Sequence, residues 1–307
     1  MRQIEKTYKK GVLRKILIKM CRLLGYELID QADMSFATSL NKENASIIGK
    51  KSITLPLGEI KIKREIHGLD IILKTCTSVN LVTQNKKRIF EAQKSEYTFR
   101  TINSLIKSLK KAETYTKNIN FQITVIDAGS SEFDKETIKG ILEKSKFRYN
   151  FIDLNLKDYL HRIKVIKKNN TQIENNMKST MASIIKSLEI SKNSNDLVYF
   201  VEDDYIHSLD CISEMLSVYE KFSTILEDEI FVVPVDYPYL YQKKLTADIL
   251  IGQKYHWRTV KESLLTFLTS KKMINKYYDE LIKMGEIEHE PYEAILHNIY
   301  DKEKCFS

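Results

Sequence analysis

The chain has 307 residues, of which 43% are hydrophobic and 29% are charged. This length is enough for one large α/β domain with additional segments, and the composition is typical of a globular protein rather than a disordered one. Only nine glycines and four prolines are present. This scarcity disfavours β-sandwiches, propellers and glycine-rich phosphate loops, because those structures use turn residues heavily.

The net charge of +8 is concentrated at the N-terminus. Residues 1–25 contain eight basic residues and one acidic residue, Glu5, so they carry +7 and the rest of the chain carries about +1. A nucleic-acid-binding protein, which is the non-enzyme alternative, should be basic over its body, so we expect no nucleic-acid partner. The four cysteines lie far apart without a CxxC pair, which indicates reduced thiols in a cytosolic protein.

Residues 11–25 predict a basic amphipathic helix, because Val12, Ile16, Met20 and Leu23 recur at helical spacing between basic residues. Such a helix either lies on an anionic membrane surface or packs on its own domain or a partner subunit. Lysines interrupt every apolar stretch, so we expect neither a signal peptide nor a membrane span. The expected location is cytoplasmic, with peripheral contact at the inner membrane surface as an option.

We assign residues 1–66 to this helix, a polar linker and short strands, and residues 67–307 to the main domain. In the main domain, strands and helices alternate, which predicts an α/β fold with a mostly parallel sheet and helices on both faces. The predicted strands lie at Ser52–Leu55, Glu59–Lys63, Leu69–Cys76, Phe121–Ile126, Tyr149–Ile152, Asp196–Val201, Ile230–Val235 and Leu264–Thr269. The predicted helices lie at Glu96–Ala112, Asp134–Lys144, Asn175–Ile190, from Ser208, at Ser270–Met284 with Gly285 as its C-cap, and from Pro291.

Three carboxylates, Glu202, Asp203 and Asp204, follow the apolar strand residues Leu197 to Val201. Ligands of open α/β sheets bind at the carboxyl ends of the strands, so these acids are placed for chemistry. Grouped carboxylates are unfavourable unless a positive charge neutralises them, and Mn²⁺ or Mg²⁺ does so while also binding substrate phosphates. The alternative is an acid cluster that only stabilises the N-terminus of the next helix.

Two further acids end predicted strands. Asp127 can accept hydrogen bonds from a nucleobase or a ribose, or can form an Asx-turn that begins the next loop. Asp153 follows Phe151 and Ile152 in the same way. Aromatic residues lie later in the chain: Tyr237 and the only tryptophan, Trp257, either bind an acceptor sugar or pack inside the domain.

The order of these motifs resembles that of GT-A glycosyltransferases, especially the family 2-like group. The resemblance covers roughly residues 69–300. The matching segments are Ile72 to Thr77, Val125 to Ser131 (VIDAGSS), Val201 to Asp204 (VEDD), Leu265 to Ser270, and Gly285 to Glu290 (GEIEHE). The chain departs from the family pattern with Glu-Asp-Asp in place of Asp-x-Asp and with Glu-His-Glu in place of a Glu-Asp pair.

The resemblance implies an inverting, metal-assisted transfer from a nucleotide-sugar donor, a UDP-sugar, to a glycan or lipid-linked acceptor. It implies that Thr75, Thr77, Asp127, Asp153 and Asp203 bind the donor. The implied metal ligands are Asp204, Glu202 and His289, and the implied base is Glu290 or Glu288. The runner-up is a metal-dependent nucleotidyl or phosphoryl transferase, which also uses paired acids at a strand end.

Overall fold

We analysed a computed structural model of the chain. It describes residues 12–26, 52–55, 58–78, 93–114, 116, 118–166, 171–242, 245–289 and 291–307. Glu290 and the basic loop at 79–92 therefore lie outside the described residues.

The helices alternate with the strands in the manner of an α/β protein. They are α1 (Val12–Leu23), α2 (Lys94–Glu113), α3 (Glu132–Ser145), α4 (Thr171–Ser191), α5 (Cys211–Leu226), α6 (Lys271–Lys276), α7 (Tyr278–Leu281), α8 (Lys283–Glu286) and α9 (Ala294–Tyr300). The strands are β1 (Ser52–Leu55), β2 (Gly58–Lys61), β3 (Gly68–Thr75), β4 (Asn120–Asp127), β5 (Arg148–Asp153), β6 (Leu197–Glu202), β7 (Phe231–Val232), β8 (Ile249–Ile251), β9 (His256–Arg258), β10 (Phe267–Ser270) and β11 (Cys305–Phe306).

Within the described residues, seven strands form one sheet in the order β11-β7-β10-β6-β3-β4-β5. Strand β10 is antiparallel to both of its neighbours, and every other pair in the sheet is parallel. The remaining strands form two hairpins, β1 with β2 and β8 with β9. The prediction of a mixed, mostly parallel sheet is therefore confirmed.

Helices cover both faces of this sheet, because successive side chains of a strand point to opposite sides. Ile71 and Leu73 of β3 pack with α2, α3 and α5 in one hydrophobic cluster. Ile72, between them, packs with α4 and with α6 to α9 in a second cluster. Both clusters consist of side chains that are almost completely buried, and such burial contributes about 25 cal/mol per Å² of apolar surface.

The predicted helix Ser270–Met284 is wrong in its continuity, since the structure divides it into α6, α7 and α8. Gly285 lies inside α8 rather than acting as a left-handed C-cap. A Cβ on Gly285 would lie 2.5 Å from Ile185 Cγ1 and 2.7 Å from the Met181 carbonyl oxygen. The glycine is required because α8 approaches the backbone of α4 closely.

The C-terminal helix and strands also differ from their predicted positions. The last helix begins at Ala294, so Pro291 precedes it and does not open it. The strand predicted at Ile230–Val235 contracts to Phe231–Val232, because its neighbour β10 pairs with it only at Val232. The short strands β8, β9 and β11 were not predicted. The division of the chain at residue 66 stays a prediction.

The N-terminal helix predicted at 11–25 is present as α1. None of the helices in the described part of the chain combines the length and the apolar character needed to cross a bilayer.

Candidate functional site

Four parallel strands bring the predicted polar residues to one edge of the sheet. Thr75 at the end of β3 is in register with Asp127 of β4, and Lys74 is in register with Glu202 of β6. Asp127 is in turn in register with Asp153 of β5. The order of strands therefore places four of the predicted site residues in one row, as expected for the carboxyl edge of an open α/β sheet.

A pocket opens at this edge between β3, β6 and α4, with about 440 Å³ of empty space that includes open solvent. The residues that line it are Lys74, Thr75, Cys76, Ala128, Asn176, Ser179, Thr180, Ser183, Glu202 and Asp203. The four residues from α4 follow the spacing i, i+3, i+4 and i+7, so they share one helix face. They give the pocket a wall of hydroxyl and amide groups.

The three acids at the end of β6, Glu202, Asp203 and Asp204, have different surroundings. Asp203 is buried, and its carboxylate accepts hydrogen bonds from Lys94 Nζ at 2.5 Å, Thr98 Oγ1 at 2.8 Å and the Cys76 backbone N–H at 3.2 Å. Lys94 and Thr98 belong to the first turns of α2. Asp203 therefore joins α2 to the loop after β3. Its predicted role in donor binding stays a prediction.

Glu202 lies on the pocket side, 3.5 Å from Lys74 Nζ. Burial raises the pKa of the Glu202 carboxyl group; Lys74 lowers it, while Asp204, Glu293 and Asp203 raise it further. The raised pKa means that nearby positive charge does not fully compensate the carboxylate. Asp204, two residues further along, is exposed.

Glu202 and Asp204 fit a divalent cation that also binds a ligand's phosphates. Mg²⁺ usually takes one or two carboxylates and completes its coordination with water and phosphate oxygens. Among the described residues, no three His, Cys, Asp or Glu side chains form a ready-made metal site. The chain would therefore supply only part of the ligand set, and the position of the half-buried Glu202 in the pocket, two residues from the exposed Asp204, is the arrangement that favours a cation there.

Asp127 is completely buried and organises the loops at the edge of the pocket. It accepts hydrogen bonds from Thr75 Oγ1 at 2.8 Å and from the backbone N–H groups of Gly129 and Ser130. The bonds to Gly129 and Ser130 form the Asx-turn that was the alternative interpretation of this residue. Gly129 has φ +120°, a conformation that favours glycine.

Two other predicted donor-binding residues also have protein partners. The Thr77 backbone N–H donates to Ser130 Oγ at 3.0 Å, and Thr77 Oγ1 donates to Asp134 at 2.6 Å. Asp153 is largely exposed and accepts from Lys135 Nζ at 2.7 Å, a contact that helps to raise the pKa of Lys135. These bonds fix the loop after β3 against α3.

The C-terminal acidic motif is tied to a neighbouring loop. Glu288 is buried, and its Oε2 accepts from the Ile166 backbone N–H at 2.6 Å. The Glu288 backbone N–H donates to the Lys164 carbonyl oxygen at 3.0 Å. The neighbouring His289 has a buried Nε2 with no hydrogen-bond partner among the described residues. Neither residue lines the pocket, so their predicted roles stay predictions.

Glu293 is an acid at the site that the sequence analysis missed. It precedes α9 as its N-cap residue and lies close enough to Glu202, Tyr239 and Tyr292 to raise the pKa of each. For Tyr292, burial is the larger cause, Glu288 adds to it, and the pKa is about 12. The sequence analysis missed Glu293 because the last helix was predicted to begin at Pro291, which places Glu293 in the first turn of that helix.

The predicted aromatic residues have different surroundings. Tyr237 lies near the acids: its hydroxyl is 2.9 Å from the Tyr205 hydroxyl, and Glu202 raises the pKa of both tyrosines in addition to burial. Its ring stacks on Tyr239 with the centroids 5.7 Å apart. This aromatic pair borders the side of the site that contains Glu202.

Trp257 is buried in the core cluster that contains α5, and its indole N–H donates to Glu214 at 3.2 Å. Glu214 also accepts from the backbone N–H groups of Gln253 and Lys254, in the turn between β8 and β9. A Cβ on Gly252 would lie 2.7 Å from the indole nitrogen. Trp257 thus holds the hairpin to α5, which agrees with the packing alternative for this residue.

No protein family matches the sequence, and no curated protein matches it. Several solved structures resemble the fold at low similarity. The galactosyltransferase LgtC, in complex with donor and acceptor sugar analogues, is 14% identical, with 75% of this chain and 70% of that chain covered and a TM-score of 0.36. Residues 1–349 of TarS from S. aureus, in complex with UDP, are 12% identical, with 71% and 55% covered and a TM-score of 0.39. The bifunctional glycosyltransferase WbbM is 10% identical, with 74% and 37% covered and a TM-score of 0.38.

Proposed function

We propose that this chain is a glycosyltransferase that moves a sugar from a nucleotide-diphosphate donor, a UDP-sugar, to a hydroxyl group of a glycan or lipid-linked acceptor. The observation that carries the proposal is the pocket at the carboxyl ends of β3 and β6. It combines a half-buried carboxylate, Glu202, with a lysine 3.5 Å away, Lys74, and a hydroxyl-rich wall from α4. A nucleoside diphosphate needs this combination of cationic and hydrogen-bonding groups.

Glu202 and Asp204 are the residues that would hold Mn²⁺ or Mg²⁺. A bound divalent ion stabilises the charge that develops on the leaving diphosphate. Lys74 Nζ lies within reach of the same phosphates, since it is 3.5 Å from Glu202 in the pocket. The side chains of Ser179, Thr180 and Asn176 offer hydroxyl and amide groups to the ribose or the base.

Asp127 and Asp203 serve the donor indirectly in this proposal. Both are buried and bonded to the loop that follows β3, through Thr75 and Cys76 respectively. The backbone of that loop is thereby fixed before the donor arrives, which reduces the entropy lost on binding. The acceptor would enter past Tyr237 and Tyr239, because these rings lie on the Glu202 side of the site.

An inverting transfer needs a general base near the acceptor hydroxyl. Glu290 is the base implied by the family resemblance, and Glu293 is the acid whose charge reaches Glu202. Either carboxylate would accept the proton of the acceptor hydroxyl as its oxygen bonds to the sugar and the bond from the sugar to the departing diphosphate breaks.

The proposal is tested by nucleotide binding to the full chain. We expect UDP with Mn²⁺ to raise Tm in a thermal-shift assay, because a ligand at 100 times its Kd stabilises the native state by about 2.7 kcal/mol. Calorimetry with UDP, GDP and ADP, each with Mn²⁺ and with chelator, then gives the affinities. Equal UDP affinity in both conditions contradicts the role of the metal. Absence of binding by all three nucleotides contradicts the proposed function.

A further inference from the structure

The helix α1 presents an apolar face to solvent. Six large apolar side chains on it are between 52% and 84% exposed: Val12, Leu13, Ile16, Leu17, Met20 and Leu23. Their spacing of i, i+1, i+4, i+5, i+8 and i+11 places them on one side of the helix. Isolated exposed apolar residues are common on protein surfaces, but a continuous apolar face of this kind marks an interaction surface.

Four of the six other positions of α1 are basic, and the remaining two are Ile18 and Cys21. Arg14, Lys15, Lys19 and Arg22 fall between the apolar residues, and the helix contains no acidic residue. The preceding residues add more lysine and arginine, so that residues 1–25 carry +7 of the total charge of +8. In the sequence, nearly all of the excess positive charge therefore lies within α1 or in the residues just before it.

We propose that α1 lies flat on an anionic lipid bilayer, with its apolar face at the boundary between headgroups and acyl chains. A helix of 12 residues is about 18 Å long, whereas the hydrocarbon core is about 30 Å thick, so α1 is too short to span it. Basic residues on the polar face then meet the negative surface potential of the lipids.

Charge complementarity favours the membrane over a second copy of the chain as the partner of this face. A second copy would bring another segment of charge +7 to the interface, and the two segments would repel each other at physiological ionic strength. An anionic lipid surface instead attracts each basic residue of this segment. This proposal is independent of the glycosyltransferase function, because it concerns vesicle binding and not turnover.

The test is co-sedimentation of the full chain with vesicles of phosphatidylcholine, with and without phosphatidylglycerol. We expect binding to the vesicles that contain phosphatidylglycerol, weak binding to phosphatidylcholine alone, and a decrease as salt is raised. Lys19→Gln should weaken the partition constant about fivefold, the effect of one basic residue near such a surface. Equal binding of the wild type to both vesicle types overturns the proposal.

The variant Leu13→Asp/Leu17→Asp tests the apolar face and should lose vesicle binding almost completely. The matched control is Phe133→Asp, which changes another highly exposed apolar side chain, in the first turn of α3, where an acid is favourable. Unchanged Tm in both variants shows that the fold survives. Wild-type binding by Leu13→Asp/Leu17→Asp overturns the proposal. The proposal is also overturned if the wild type binds no vesicles and light scattering shows it to be a dimer, while Leu13→Asp/Leu17→Asp is a monomer.

Discussion

Glu202 ends β6 with a carboxyl group whose pKa is raised by burial, even though Lys74 lies 3.5 Å away. A carboxyl group with a raised folded-state pKa favours the native state only while it is protonated. That contribution is complete below the pKa of the unfolded chain and is lost as pH rises through the folded-state pKa. Above the folded-state pKa this contribution is absent, so burial of the charged Glu202 carboxylate weakens the ligand-free native state.

We expect Glu202→Gln to raise Tm at pH 8, because the substitution removes a carboxylate whose charged form is disfavoured by burial. The difference should disappear near pH 4, where both proteins are neutral at this position. The same variant should lose the extra stabilisation that Mn²⁺ gives in the presence of UDP. Thermal melts across pH provide the measurement, with the exposed Glu113→Gln as control. A lower Tm for Glu202→Gln at pH 8 contradicts this account.

Asp203 and Lys94 form a nearly buried ion pair, each side chain being 12% exposed. Removal of one partner leaves the other charge without compensation, which costs about 3–5 kcal/mol for a buried pair. We expect Asp203→Asn or Lys94→Met to destabilise the protein by about this amount. The double variant Asp203→Asn/Lys94→Met should recover part of the loss, because neither charge is then left without its partner. Urea unfolding measures all three, and a double variant as unstable as the sum of the singles argues against the pair.

Once a donor and an acceptor are known, substitution with glutamine distinguishes whether Glu290 or Glu293 is the general base. The variant that removes the base should reduce kcat by about 10²–10⁴-fold while donor affinity and Tm change little. The other variant should retain turnover within a few-fold. Steady-state kinetics decides between them. Near-normal turnover in both variants excludes the two residues as the base.

At the scale of elements, the contact of α8 with α4 depends on Gly285. We expect Gly285→Ala to destabilise the protein by about 1–3 kcal/mol, because its Cβ would overlap Ile185 and the Met181 carbonyl oxygen. Gly140, inside α3, is the matched control, since a Cβ there meets nothing within 4 Å. Gly140→Ala should stabilise by about 0.5–1 kcal/mol through helix propensity. Chemical denaturation of both variants gives the comparison, and equal effects would show that the close approach is unimportant.

The elements that the sequence predicted well are those with a long periodic pattern. Strand β6 and helix α2 were placed within two residues, because their apolar residues repeat at the strand and helix periods. Strands of two or three residues, such as β7, β9 and β11, are too short to show a period. The glycine at 285 was misassigned because a helix end and a tight helix contact use the same residue.

The placement of residues at one edge of the sheet could be predicted where neighbouring strands are parallel and in register. Thr75, Asp127 and Glu202 meet there, together with Lys74, which was not among the predicted site residues. Their roles in binding stay predictions. The partners of Asp203 and Trp257 could not be predicted, since Lys94 is 109 residues from Asp203 and Glu214 is 43 residues from Trp257. Such contacts depend on how helices pack against the sheet, which one sequence does not specify.

Across the whole sheet, β3 is an interior strand that is hydrogen-bonded on both sides. β3 pairs with β4 over its full length and with β6 over most of it, whereas the β8–β9 hairpin has three residue pairs. We expect amides of β3, β4 and β6 to exchange only through global unfolding, and those of the hairpin to exchange through local opening. Hydrogen exchange with peptide mass spectrometry tests this order. Equal rates for β3 and the hairpin would contradict it.

The position of Lys74 between Glu202 and the open pocket also links the two ligands proposed for this site. Lys74 cannot neutralise Glu202 and a phosphate fully at the same time, so an incoming diphosphate that draws Lys74 away leaves Glu202 available to a cation. Nucleotide and metal should then bind with positive heterotropic cooperativity. Thermodynamic reciprocity requires that UDP increase the affinity for Mn²⁺ by the same factor as Mn²⁺ increases the affinity for UDP. Replacement of Lys74 by methionine should reduce that shared factor.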